Sequence, residues 1–172
     1  MKRTAMKPFH TLVQAMAWVS AALFVASGVM LTYEVVARHF FVAPTIWAAE
    51  LSQLTLIWGS LLGMAWLLRT RRHIAVDALV ELLSARQKRV TETISMLVVG
   101  AFSAAVTWKG WEIFYESFER GRTTGSMLDL PTWVAELAVP FGFAVLFVQA
   151  VIEAFNAISG RQIQGPSHGA HE

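Results

Sequence analysis

At 172 residues the chain is long enough for one ordinary domain, but 55% of it is apolar and only 15% is charged. With glycine counted in and tyrosine out, the apolar share is about 60%, against a usual ~45–50%, and the charged share falls below a usual ~25%. This balance, with a mean hydropathy of +0.50, excludes a disordered chain and argues against a soluble domain; the absence of cysteine excludes disulfide frameworks, thiolate metal sites and iron–sulfur clusters.

The first apolar run, Leu12 to Tyr33, follows Lys2, Arg3 and Lys7 and contains no charge. The order is that of a signal peptide. The run nevertheless exceeds an h-region of about 7–15 residues, and no clear cleavage site follows it. It is read as a retained first span over 12–36. Glu34 and Arg38 form an i,i+4 pair in the favourable order at its end, and Arg38 is also a natural partner for Glu50 across a short hairpin. The second span, 46–68, carries Glu50 as its only charge. Ala48, Ser52, Thr55, Gly59 and Gly63 make one small-residue face that ends in Gly-x-x-x-Gly, a surface suited to close helix approach. That face serves equally well for packing inside the chain or for docking another membrane protein.

Between 69 and 92, Val76, Leu79, Val80 and Leu83 recur at helical spacing among Asp77, Glu81, Arg86 and Lys88. The pattern predicts an amphipathic surface helix over about 73–90, with an extension of a span as the alternative. The third span covers 91–115, around a charge-free core from Thr93 to Trp108, and a polar loop from Glu112 to Leu130 follows. The fourth span covers 131–157. It contains Glu136 near its start, and Pro140-Phe141-Gly142 offers a break point inside it. Residues 161–172, with Gly165, Pro166, Ser167 and Gly169, read as a disordered tail. A helix needs about 20 mostly apolar residues to cross a bilayer, and nothing alternates in the ten-residue blocks of a membrane barrel. The expected fold is therefore all-α: a four-helix transmembrane domain over 1–160 with an amphipathic helix between spans two and three.

Lysines and arginines set the orientation. Ten fall in the N-terminal tail, the 69–92 segment and the C-terminal tail, against four (Arg38, Lys109, Arg120, Arg122) at the opposite ends of the spans. Both termini are expected in the cytoplasm. Trp47, Trp108, Trp111 and Trp133 then mark the outer interface, and Trp18 and Trp66 the inner one. The basic balance is a topology signal and not a nucleic-acid surface, since no soluble basic face interleaved with aromatics exists.

Pro44-Thr45-Ile46-Trp47-Ala48-Ala49-Glu50-Leu51 echoes Pro131-Thr132-Trp133-Val134-Ala135-Glu136-Leu137. Both segments open a span that runs inward. Shared helix-start chemistry, with Pro near the first turn and a carboxylate at the positive end of the dipole, explains much of the match; a duplicated hairpin is the other explanation. Ionisable groups at membrane depth are functional candidates, but Glu50 and Glu136 lie near the outer interface, where capping or ion pairing outweighs ion coupling. None of the five histidines is mid-span, which disfavours a haem-binding anchor of a redox enzyme. No nucleotide loop, zinc helix or nucleophile elbow is present. No catalytic, cofactor or metal residue is expected.

The ordered motifs lead to a family. Arg38-His39-Phe40-Phe41 follows span one, and Trp47-Ala48-Ala49-Glu50 opens span two. Arg69, Arg71 and Arg72 precede His73-Ile74-Ala75-Val76-Asp77. A Gly/Thr-rich loop from Gly121 leads to Trp133, and Pro140-Phe141-Gly142 lies within span four. In this order, over nearly the whole chain, the sequence resembles the small membrane subunit of tripartite ATP-independent periplasmic (TRAP) transporters. The resemblance implies an accessory subunit in the bacterial inner membrane. A large membrane subunit would hold the substrate and sodium sites, and a periplasmic binding protein would deliver an organic acid. Arg38, Trp47, Glu50, Ser52, Thr55, Gly59, Gly63, Arg72, His73, Asp77 and Glu136 would then serve structure or subunit contact. The competing reading is a self-contained oligomeric carrier or channel that uses Glu50 or Glu136 as its coupling group.

Overall fold

The computed structural model describes residues 3–70, 85–126 and 128–158. They form four helices: α1 (Arg3–Phe41), α2 (Ala48–Thr70), α3 (Ala85–Arg120) and α4 (Trp133–Ile158). Each contains a segment long and apolar enough to cross a membrane: Phe9–Phe41, Ala48–Thr70, Thr93–Arg120 and Trp133–Phe155. The four expected spans are all present. Of the expected surface helix, residues 85–90 form the first turns of α3, and 73–84 lie outside the described residues, as does the 161–172 tail.

Two features of the helices go beyond the sequence expectation. α3 runs on through residues 112–120, which the sequence places in a loop. No breaker occurs there before Gly121, and Lys109–Glu112 (2.7 Å) and Glu116–Arg120 (3.0 Å) are i,i+3 and i,i+4 ion pairs that support a helix. The helix then stops on Gly121 at φ 57°. The Arg122 N–H donates to the Ser117 carbonyl and the Gly121 N–H to the Phe118 carbonyl, which is the Schellman termination. Second, α4 is not broken at Pro140 but passes through it. The ring is buried against α3, where a β-carbon built on Gly110 would lie 3.2 Å from Pro140 Cδ. Tight support on that side lets the helix absorb one missing N–H.

Among the described residues the helices pack as an open row, α1 on α2, α2 on α4, α4 on α3, while the remaining pairs meet marginally or not at all. The row reads long, short, short, long. At 1.5 Å per residue, the 39 residues of α1 and 36 of α3 extend about 58 and 54 Å, well beyond a hydrocarbon core of about 30 Å. The inner helices α2 and α4 have 23 and 26 residues. Burial follows the order: 11% of the most apolar window of α1 is enclosed, against 33% for α4. The enclosed set includes Ser20, Ser27, Ser52, Ser103, Gln149 and Glu153, while Trp18, Val25, Val29 and Phe102 are exposed. This polar-in, apolar-out distribution belongs to a protein whose solvent is lipid. The α1–α2 and α3–α4 turns share one end of the row, the turn end. The start of α1, the end of α2, the start of α3 and the end of α4 share the other, the terminal end.

Candidate functional site

The turn end is built on two helix starts. The Trp47 carbonyl accepts the Leu51 N–H and the Thr132 carbonyl accepts the Glu136 N–H, so α2 and α4 begin alike, each with its glutamate in the first turn. A carboxylate there faces the positive end of the helix dipole. The structure brings Glu50 and Glu136 to one cavity of about 500 Å³, lined also by Gln53, Leu54, Ile57, Thr124, Ser126 and Val134. One oxygen of each carboxylate, Oε2, is sheltered from solvent and accepts no hydrogen bond from the described residues. The α3–α4 loop closes over one side through a short antiparallel contact: the Thr124 N–H donates to the Leu130 carbonyl and the Thr132 N–H to the Arg122 carbonyl. Trp58, the mid-span tryptophan, donates its indole N–H to the Val134 carbonyl at 3.1 Å and so ties α2 to the start of α4.

Arg38 does not pair with Glu50. Its guanidinium meets Glu34 at 3.4 Å, one turn back on its own helix. Glu34 is buried, at 7% exposure, and accepts both the Thr45 N–H (2.9 Å) and the Thr45 hydroxyl. The pairing goes to Glu34 because its carboxylate already sits inside the hairpin on a backbone donor, one helical turn from Arg38. Trp47 stacks on Tyr33 across the same turn, with centroids 5.9 Å apart.

The small-residue face of α2 turns inward, onto α1. A β-carbon on Gly63 would lie 2.8 Å from Ser20 Oγ, and one on Gly59 would lie 3.4 Å from Leu23 Cβ. Of the two uses the sequence allowed, packing inside the chain is the one observed. The hydroxyls of Ser52 and Thr55 bond back into their own helix. Other bonds cross the hairpin: Ser20 of α1 donates to the Gly59 carbonyl at 2.6 Å and Ser27 to the Ser52 carbonyl at 3.2 Å, while Glu34 of α1 accepts from Thr45. These α1 residues are seven apart, and so are their partners, Gly59 and Ser52 on α2 and Thr45 in the turn before it. The sequence reading missed this ladder, although Ser20, Ser27 and Glu34 at heptad spacing in an otherwise apolar run were a visible signal.

It also missed a polar cluster toward the terminal end. Gln149 and Glu153, 0% and 1% exposed, lie one turn apart on α4, and the Gln149 amide donates to Glu153 Oε1 at 2.8 Å. His10 of α1 lies within electrostatic reach of Arg69 of α2 and of Glu153. The i,i+4 spacing of two polar residues on the buried stripe of α4 would have flagged the pair. Arg72, His73 and Asp77 lie outside the described residues. Among the described residues no three histidine, aspartate or glutamate side chains are grouped to hold a metal.

Comparison with known proteins places this geometry. The family model described as "Tripartite ATP-independent periplasmic transporters, DctQ component" matches residues 27–160. The chain is 24% identical over 124 residues to the C4-dicarboxylate TRAP transporter small permease protein DctQ of Rhodobacter capsulatus, covering 72% of this chain and 54% of that one. It is 24% identical over 163 residues to the protein of the same name from Vibrio cholerae, covering 81% and 70%. It is 29% identical over 82 residues to the sialic acid TRAP transporter permease protein SiaT of Haemophilus influenzae, covering 48% of this chain and 13% of that longer one. The chain thus spans about half the length of the first of these relatives. The matched proteins are transporter permeases, not enzymes.

Proposed function

Since the chain belongs to the DctQ component family of TRAP transporters, we propose that it is the accessory small permease subunit of a sodium-coupled system that imports an organic acid delivered by a periplasmic binding protein. In this reading it braces a large membrane subunit and lends its turn end, facing the periplasm, to docking of the binding protein. The open row carries the reading. Two inner helices are held on both flanks, while the outer helices expose long apolar faces (Trp18, Val25 and Val29 on α1; Val98, Phe102 and Trp108 on α3) of the kind that mark a membrane or subunit contact.

Four further points support it. The relatives' names refer to a C4-dicarboxylate and to sialic acid, both organic acids. In SiaT the matching stretch is a small part of a longer permease, which favours intimate association with a large permease. The ten-to-four basic bias favours cytoplasmic termini. The glutamates at the turn end stand at helix starts, and the transport groups of carriers are found near the midplane on broken helices, whereas α4 is continuous.

The test is uptake into proteoliposomes under an inward sodium gradient. Vesicles with both membrane subunits should take up the acid only when binding protein is added outside, and vesicles with this chain alone should be silent. Uptake by this chain alone, abolished by Glu50→Gln or Glu136→Gln, would replace the accessory role with a self-contained carrier.

A further inference from the structure

The cavity at the turn end has a chemistry that the bracing role does not use. Its walls are divided. Leu54, Ile57, Leu130 and Val134 give an apolar lining, and Glu50 and Glu136 give two acids, with Gln53, Thr124, Ser126 and Thr132 as polar neighbours. One oxygen of each carboxylate is withdrawn from solvent and lacks a donor, so part of the cost of desolvating two negative charges is already met in the free chain. Arg38, the nearest basic candidate by sequence, is engaged by Glu34. A cavity with apolar lining residues and two acids matches one kind of side chain above others: a basic residue whose methylene stem lies on apolar atoms while its charged head meets carboxylates. A bare metal ion fits less well. It would take six or more oxygens if it were calcium-like, and among the described residues no group of three acidic or histidine side chains converges here.

We propose that this cavity is a socket for an arginine or lysine side chain of the exported binding protein. The proposal rests on the docking role above and names its contact. Position favours the exported partner over the large membrane subunit: the lining residues Thr124, Ser126 and Leu130 belong to the loop between α3 and α4, outside the four spanning segments, where a soluble protein arrives from above. Glu50 and Glu136 act as the paired acceptors, each held at its height by the first turn of its own helix.

The experiment uses both membrane subunits together in nanodiscs and measures the affinity of the purified binding protein for them. The variants are Glu50→Gln, Glu136→Gln and the double variant, which keep side-chain volume and leave the fold able to form. The expected result is a loss of affinity of at least about tenfold in the double variant, a shallower dependence on salt, and unchanged co-purification of the large subunit. Substituting the binding protein's basic residues one at a time with Ala should find one whose effect is not additive with Glu50→Gln. Unchanged affinity in the double variant, or strict additivity for every basic residue, would overturn the socket. Loss of the large subunit from the purified complex would overturn it too and assign the cavity to that subunit. Failure of the wild-type complex to capture the binding protein at all would instead remove the docking role itself, a distinct result.

Discussion

The two helical hairpins of this chain solve the same problem by different means. α1 and α2 are joined by hydrogen bonds at a constant register: Ser20 donates to the Gly59 carbonyl, Ser27 donates to the Ser52 carbonyl, and Glu34 accepts from Thr45 in the turn before α2. α3 and α4 are joined by shape. Gly110 lies against Pro140 and Gly100 near Ala150, and Phe102–Phe143, Phe114–Trp133 and Phe118–Trp133 are ring contacts. In lipid no hydrophobic force draws one apolar helix onto another, so association falls to hydrogen bonds and close packing. The first hairpin relies on bonds in discrete register, and the second on surfaces that tolerate small slides. Between them, α2 meets α4 with Leu61 close against Gly142, next to the Trp58 bond to the Val134 carbonyl.

The comparison can be broken most severely at that junction. A β-carbon on Gly142 would lie 2.8 Å from Leu61 Cβ and 3.0 Å from the Leu61 carbonyl oxygen. Backbone stands in the way, so Gly142→Ala should destabilise by about 1–3 kcal/mol, and Gly142→Leu should prevent the two hairpins from joining. Thermal unfolding in mild detergent, read by size exclusion, measures both. At Gly63 the obstacle is the Ser20 hydroxyl. Gly63→Leu should separate α1 from α2, while Gly63→Ala combined with Ser20→Ala should be milder than the sum of the single changes.

The ladder itself sets the next scale. Ser20→Ala removes a 2.6 Å bond and Ser27→Ala a 3.2 Å one. Each should cost about 0.5–1.7 kcal/mol, the range for interhelical bonds in membranes, with Ser20 the larger. Glu34→Ala should loosen the α1–α2 turn more than Glu34→Gln, because the amide oxygen still accepts the Thr45 N–H. Disturbed stacking of Trp47 on Tyr33, read by tryptophan fluorescence, would report it. A double-mutant cycle between Arg38 and Glu50 should be additive, since Arg38 faces Glu34; measurable coupling would contradict the geometry.

The smallest effect is expected on the second hairpin's exposed end. Glu116 accepts from both Arg120 and Arg122 at 3.0 Å, but all three side chains are about half exposed. Arg120→Ala should change stability by no more than about 0.5 kcal/mol, as exposed pairs do. A large loss would show that this end is buried against a partner in the assembled transporter.

Apolar run length is a one-dimensional property, and it was sufficient to locate four spans and to put Glu50 and Glu136 at the starts of two of them. The echo between the segments opening at Pro44 and Pro131 was likewise readable, and it foretold that two alike helix starts would exist. That they share one cavity was decided by the row order α1–α2–α4–α3, which no residue count specifies. The partner of Arg38, the inward turn of Gly59 and Gly63, the burial of Gln149 and Glu153, and the continuity of α4 through Pro140 were also tertiary outcomes. The reason is common to all of them. Helices that are all apolar enough for lipid are sorted by rotation and register, set by a few hydroxyls, glycines and backbone carbonyls, and those contacts exist only once two helices have met.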